Sequence, residues 1–231
     1  MSDQLQMISD IEQEVAYTRH MIGRSALSET VMNAIRLVPR EAFVPEAERR
    51  FAYHNGPLPI GCGQTISQPY IVALMTDLLE VDGDAVVLEV GTGSGYQAAV
   101  LSRVVKEVYT LEIIETLAER AAETLDGLGY DNITCRCVDG YNGWPEHAPY
   151  DAIMVTAAAV EIPPPLIEQL RPGGRLVMPL GRPYDYQNLV LVEKNPSGGV
   201  SQRVILGVAF VPLTRSDAQR GIYGVDRSES I

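Results

Sequence analysis

The stretch Ala85-Val-Val-Leu-Glu-Val-Gly-Thr-Gly-Ser-Gly-Tyr96 decides the fold. Its first half, Ala85 to Val90, is apolar, rich in β-branched residues and short enough to be a fully buried strand. Gly91-Thr-Gly-Ser-Gly95 follows, and Tyr96 to Arg103 reads as a helix. A strand, a glycine turn and a helix start together make a place for a nucleotide-like ligand. The glycines let backbone approach closely, and the first helical turn offers unpaired N–H groups.

Three side chains narrow the ligand. A dinucleotide-binding G-x-G-x-x-G turn needs glycine at position 96, where Tyr96 stands. Glu89, just before the first glycine, points instead to S-adenosylmethionine, because a carboxylate there can reach the cofactor's cationic end by charge-assisted hydrogen bonds. The next predicted strand, Glu107 to Glu112, ends in an acid about 20 residues beyond Gly91, the spacing of a carboxylate on two ribose hydroxyls. The bland alternative is an ordinary strand-to-helix turn with two solvated acids.

Working outward, alternation continues. A helix is expected over 115–128 and a strand over 133–138, followed by Asp139-Gly140 at the edge that already carries Glu89 and Glu112. An acid there can accept a hydrogen bond from an adenine amino group. Asp151 to Thr156 reads as a strand, with a short helix ending near Leu170. Pro172-Gly-Gly is expected to turn the chain into a strand over 175–180. Strands and helices in strict turn imply right-handed crossovers and a mostly parallel sheet. Leu189 to Val192 and Val200 to Val211, joined by Asn195-Pro-Ser-Gly-Gly199, predict an antiparallel hairpin to finish it.

Before the glycine turn, helices are predicted over 4–21 and, capped by Ser28, over 29–37. Pro39 to Pro45 reads as a turn into an extended segment. Pro57 to Tyr70, rich in proline and glycine, reads as a shaped loop without regular structure. Ser67 is placed to cap a helix running to Leu79, with Ile71, Leu74, Met75, Leu78 and Leu79 on one face. Its role is either that cap or something functional, and the local sequence leaves both open.

Composition sets bounds. The 231 residues carry a net charge of −12, which argues against nucleic acid as a partner, since phosphate binding wants a basic face. No apolar run approaches the ~20 residues of a membrane span. Met1-Ser-Asp-Gln-Leu5 lacks the start of a signal peptide, so a cytoplasmic chain, free of membranes, is expected. Cys135 and Cys137 alternate onto one strand face and are expected to be core thiols. His20, His54 and His147 show no ligand spacing, so no metal site is expected.

At Val38-Pro-Arg-Glu-Ala-Phe-Val-Pro45, Gly63-Gln-Thr-Ile-Ser-Gln-Pro69, Val155-Thr-Ala-Ala-Ala159 with Glu161-Ile-Pro163, and Pro172-Gly-Gly-Arg-Leu176, the sequence resembles the protein-L-isoaspartate O-methyltransferases. Nearly the whole chain, through Val211-Pro-Leu-Thr214, takes part. The Thr-Ile-Ser-x-Pro segment separates this family from other methyltransferases of the same fold; the glycine turn does not.

The resemblance implies an α/β, Rossmann-like S-adenosylmethionine-dependent methyltransferase with a mostly parallel, doubly wound sheet and an antiparallel C-terminal hairpin. It implies one domain over 1–231: a helical part (1–56), a substrate loop and helix (57–84), a core (85–214) and a tail (215–231). The activity implied is methylation of the α-carboxylate of L-isoaspartyl residues in damaged proteins and peptides, by a protein expected to be a monomer. Carried across residue by residue, Ser67 matches the active-site serine, with Thr65 and Ile66 beside it at the substrate. Glu89, Gly91 and Gly93 match the methionine end of the cofactor, Glu112 the ribose, and Asp139 and Gly140 the adenine. Ile60, Gly61, Cys62 and Gly63 match a segment closing over cofactor and substrate, where Cys62 replaces a bulkier group. Thr214 and Gln219 match cofactor residues of longer members, and the chain over 214–219 is expected to fold over bound cofactor. Two other readings share the cofactor motifs: methylation of a small molecule or RNA, and a S-adenosylmethionine-binding protein without catalysis.

Overall fold

A computed structural model of the chain describes residues 3–183 and 185–215. The N-terminal part is helical: α1 (Asp3–Ile22) and α2 (Glu29–Leu37), the latter capped by Ser28, whose hydroxyl accepts from the Val31 amide. Between them and the glycine turn lie a short hairpin, β1 (Leu58–Gly61) with β2 (Gln64–Ile66), and α3 (Pro69–Leu78). Then come β3 (Val86–Val90), α4 (Tyr96–Ser102), β4 (Glu107–Glu112), α5 (Glu115–Gly127), β5 (Ile133–Cys137) and β6 (Tyr150–Val155). The chain continues through α6 (Pro164–Gln169), β7 (Leu170–Gly181), β8 (Gln187–Lys194) and β9 (Val200–Val208).

Seven strands form one sheet in the order β5-β4-β3-β6-β7-β8-β9. Pairing is parallel from β5 to β7 and antiparallel for β8 and β9. Because strand side chains alternate, the sheet feeds two cores. Val87, Val108, Met154 and Val177 pack beneath α1 to α5, while Leu88, Val90, Ile153 and Val155 pack on the opposite face with Leu166 of α6. The chain leaves β3 towards β4 and β5, then returns to β6 on the other side of β3. That reversal opens a crevice at the carboxyl ends of β3 and β6, where ligands bind in folds of this kind.

Several local expectations are corrected. Segment 57–70 is not irregular: it contains the β1–β2 hairpin, whose turn uses positive φ at Gly61, Cys62 and Gly63. Ser67 does not cap α3. The cap position is Gln68, and no side chain bonds there, because proline at the first position leaves one fewer amide to satisfy. All ten residues of α3 are buried, so it is an internal helix and not a one-faced one. The turn expected at 39–45 is a 3-10 turn, Arg40–Phe43, but it leads into a second one, Glu46–Phe51, and not into an extended segment. Pro172-Gly-Gly lies inside β7 as a bulge. Register against β6 skips from Tyr150↔Leu170 to Ala152↔Arg175, and a Cβ on Gly174 would meet the Asp151 carbonyl at 2.8 Å. Cys137 is exposed and Cys135 only half-buried, because β5 is an edge strand.

Candidate active site

The glycine turn is held from both sides. Gly91 and Thr92 donate their amides to the Leu111 carbonyl at 2.8 and 3.1 Å, and Gly95 enters α4 at a φ of 88°. Glu112, at the end of β4, accepts the Gly93 amide at 2.8 Å on one oxygen and the Ile113 and Ile114 amides at 3.0 Å on the other. On the β6 side the Thr156 hydroxyl donates to the Gly91 carbonyl at 2.6 Å. Gly91 is required here, since its φ is 99° and a Cβ would sit 2.4 Å from that hydroxyl.

These elements enclose a narrow cleft of about 50 Å³. Gly91, Gly93, Glu112 and Gly140 line it from the sheet side, Thr65 from the hairpin, and Thr214 from the C-terminal segment. That segment is fixed by backbone bonds: Ala158 donates to Val211, and Leu213 donates back to Ala158, both at 2.8 Å. Gly140 must be glycine because a Cβ would lie 2.5 Å from Val90 Cγ1.

Glu89 does not line this cleft. It is fully buried beneath the turn, where the Thr110 hydroxyl donates to one carboxyl oxygen at 2.5 Å and Thr92 Oγ1 lies 2.6 Å from Thr110 Oγ1. Its other oxygen has no hydrogen-bond partner. Burial pushes its pKa up to about 8; the Thr110 bond opposes this and the charge of Glu112 adds to it. Asp139 is also outside the cleft wall: it caps the turn over 140–142 through the Tyr141 amide at 3.0 Å and faces Arg215 Nε at 3.8 Å.

Ser67 stands where two cavities meet. With Thr65 and Thr156 it lines a pocket of about 30 Å³ against Gly91 and Gly93, and also a groove of about 600 Å³ running past Ile71 and the 207–211 segment. Ile66 lines the pocket and not the groove. The hairpin tip lies over α5. Arg120 donates to the Ile60 carbonyl at 2.8 Å, Cys62 Sγ is 3.4 Å from Thr116 Oγ1, and Ile60 is packed near Gly93. Gly61, Cys62 and Gly63 are exposed and line neither cavity nor cleft, so Cys62 leaves the hairpin intact. Gln219 lies outside the described residues, with nearly all of the segment expected to fold over cofactor.

Thr156 is the residue that strand-by-strand reading missed, although it follows β6 at the same edge where Glu89, Glu112 and Asp139 were noticed. The cleft fits S-adenosylmethionine in kind: glycines where a ligand approaches backbone, a carboxylate at the end of β4, and an unsatisfied buried carboxyl oxygen below the turn. Among the described residues no group of three or more His, Cys, Asp or Glu could hold a metal ion, and no helix is long and apolar enough to cross a membrane.

Comparison with known proteins bears on the family and the fold. The family model described as protein-L-isoaspartate(D-aspartate) O-methyltransferase matches residues 15–218. A Syntrophobacter fumaroxidans protein named protein-L-isoaspartate O-methyltransferase 2 is 60% identical over 208 residues, covering 90% of this chain and 84% of that one. A solved structure described as a protein-L-isoaspartate O-methyltransferase superposes with a TM-score of 0.79 at 29% identity, over 90% of this chain; the match spans 65% of that chain's length. A Plasmodium falciparum structure, solved in complex with S-adenosyl-L-homocysteine, shares the fold with a TM-score of 0.70 at 24% identity, over 90% of this chain and 98% of that one. The chain belongs to the protein-L-isoaspartate(D-aspartate) O-methyltransferase family.

Proposed function

We propose that this chain works as one domain that methylates the α-carboxylate of L-isoaspartyl residues in damaged proteins and peptides, with S-adenosylmethionine as methyl donor. Family membership supports the activity and cofactor. The observation that carries the site assignment is the position of Ser67, on the wall shared by the glycine-turn pocket and the large groove.

Bound in the cleft, S-adenosylmethionine supplies a methyl group already activated on a sulfonium. A carboxylate is ionised at neutral pH and needs no general base. The chain's task is therefore alignment and exclusion of water, and proximity alone can lower such a barrier by ~7–11 kcal/mol. Ser67 donates its hydroxyl to the substrate carboxylate, with Thr65 and Ile66 holding the strand beside it. The groove takes the flanking peptide. Gly91 and Gly93 accept the cofactor's methionine end, Glu112 its ribose hydroxyls, and Gly140, with Asp139 behind it, its adenine. Thr214 closes the site from the C-terminal side, and Ile60, at the base of the exposed hairpin tip 61–63, packs beside Gly93. Glu89 acts from beneath: its buried carboxyl ionises when a cationic ligand arrives over the turn. Opposite charges vanish as the ester forms, so a dry site favours the reaction.

The test is the chemical nature of the product. An isoaspartyl peptide labelled from S-adenosylmethionine should release its methyl group as methanol in mild base, as a carboxyl ester does. A base-stable label would mean that another group is methylated.

A further inference from the structure

Arg40 is completely buried, yet among the described residues no carboxylate forms an ion pair with it. Its Nε donates to the Ala52 carbonyl at 2.9 Å, and its Nη2 donates to the Ser67 carbonyl at 2.8 Å and, more weakly, to Gly56 at 3.4 Å. Its guanidinium carbon lies 4.7 Å from the centre of the Tyr96 ring, and Tyr96 is the first residue of α4 after the glycine turn. Ser67 and Tyr96 both line the small pocket at the turn, so the cation sits directly behind that wall. Nη1 has no hydrogen-bond partner. Burial of the charge pulls its pKa down.

Buried charges are ordinarily paired, because the lost hydration must be replaced. A guanidinium also spans several acceptors in a fixed plane, which an ammonium cannot. We propose that Arg40 is a positioning residue for methyl transfer. Its fork sets Ser67 at a fixed distance from the glycine turn, and the substrate's carboxylate supplies its missing counter-charge. This inference rests on the isoaspartyl reading of the same site. As the carboxylate oxygen bonds to the methyl carbon and the sulfur–methyl bond breaks, the ester formed is neutral. The product no longer answers Arg40 and is held less tightly than the substrate.

The test separates charge from placement. An isoaspartyl peptide and its α-carboxamide counterpart are compared by competition binding in wild type, Arg40→Lys and Arg40→Met. Wild type should prefer the carboxylate by about tenfold or more, the scale of a charge-assisted contact. Arg40→Lys should keep that preference but lose about tenfold in kcat, with cofactor affinity changed less than about threefold. Arg40→Met should lose the preference. If the Arg40 variants do not fold, Tyr96→Leu, which removes the ring against the guanidinium together with its edge contact to Phe43, should lower kcat and leave the preference intact. A folded Arg40→Met that retains both preference and turnover overturns the proposal, as does a Tyr96→Leu enzyme with wild-type kcat. A wild-type enzyme that leaves the isoaspartyl peptide unmethylated contradicts the function itself, while the binding arm still decides the role of Arg40.

Discussion

The Thr156 hydroxyl lies 2.6 Å from the Gly91 carbonyl and occupies the space that a Gly91 side chain would need. Two strands from opposite sides of the topological reversal are thereby clamped at the point where a ligand meets backbone. Gly91→Ala should therefore destabilise the protein by about 1–3 kcal/mol through its positive φ alone, with the clash adding to that. Adding Thr156→Ala relieves the clash but not the strain. Thermal melts of the single and double variants should show partial recovery; full recovery would mean that backbone strain contributes nothing.

Glu89 gives a pH signature. Its folded pKa of about 8 stands above the ordinary carboxyl value of 4.5, so between these values the folded state holds a proton that the unfolded state has released. Its contribution to stability is complete below about 4.5 and is lost as pH rises towards and through about 8. Glu89→Gln should flatten that part of the stability profile for the ligand-free protein. A cationic ligand reverses the preference, so cofactor binding near pH 7 should release protons. Calorimetry in buffers of different ionisation enthalpy should detect this in wild type and not in Glu89→Gln.

Glu112 accepts three backbone amides while facing the cleft. Each charge-assisted bond of this kind contributes about 1.5–3 kcal/mol. Glu112→Ala should weaken S-adenosylmethionine binding by about tenfold or more, as read by calorimetric titration. Unchanged affinity would remove Glu112 from the cofactor site.

Ser67→Ala should behave differently. Cofactor affinity should stay within about threefold. Turnover should fall by about 10- to 100-fold, as expected for one lost hydrogen bond to a charged group. A titration showing the reverse pattern would exchange the two assignments.

The centre of the sheet was legible because β3, β4 and β6 are buried on both faces. Runs such as Ala85–Val90 and Glu107–Glu112 are short and rich in apolar and β-branched residues, and the acids and glycines at their ends follow from the crossover rule. The hairpin at 58–66 was not legible, since a three-residue strand with exposed positions has no period to read. Ser67 looked like a cap because residue type alone favours it, whereas the chain places Gln68 there and turns Ser67 towards the cavities. Cys137 looked buried because alternation gives the face but not whether a helix covers it. Arg40 stands inside the Val38–Pro45 segment that carries the resemblance, but nothing local marks it as a buried cation. Its partners at Ala52, Gly56 and Ser67 are distant in sequence and offer only carbonyl groups, which any residue possesses.

The central claim is tested most directly by labelled methyl transfer to two peptides that differ only in one linkage, isoaspartyl in the first and normal aspartyl in the second. The isoaspartyl peptide should be methylated, and its aspartyl twin should stay at background. Equal labelling of both, or of neither, would contradict the assignment of Ser67 and the groove to isoaspartyl recognition.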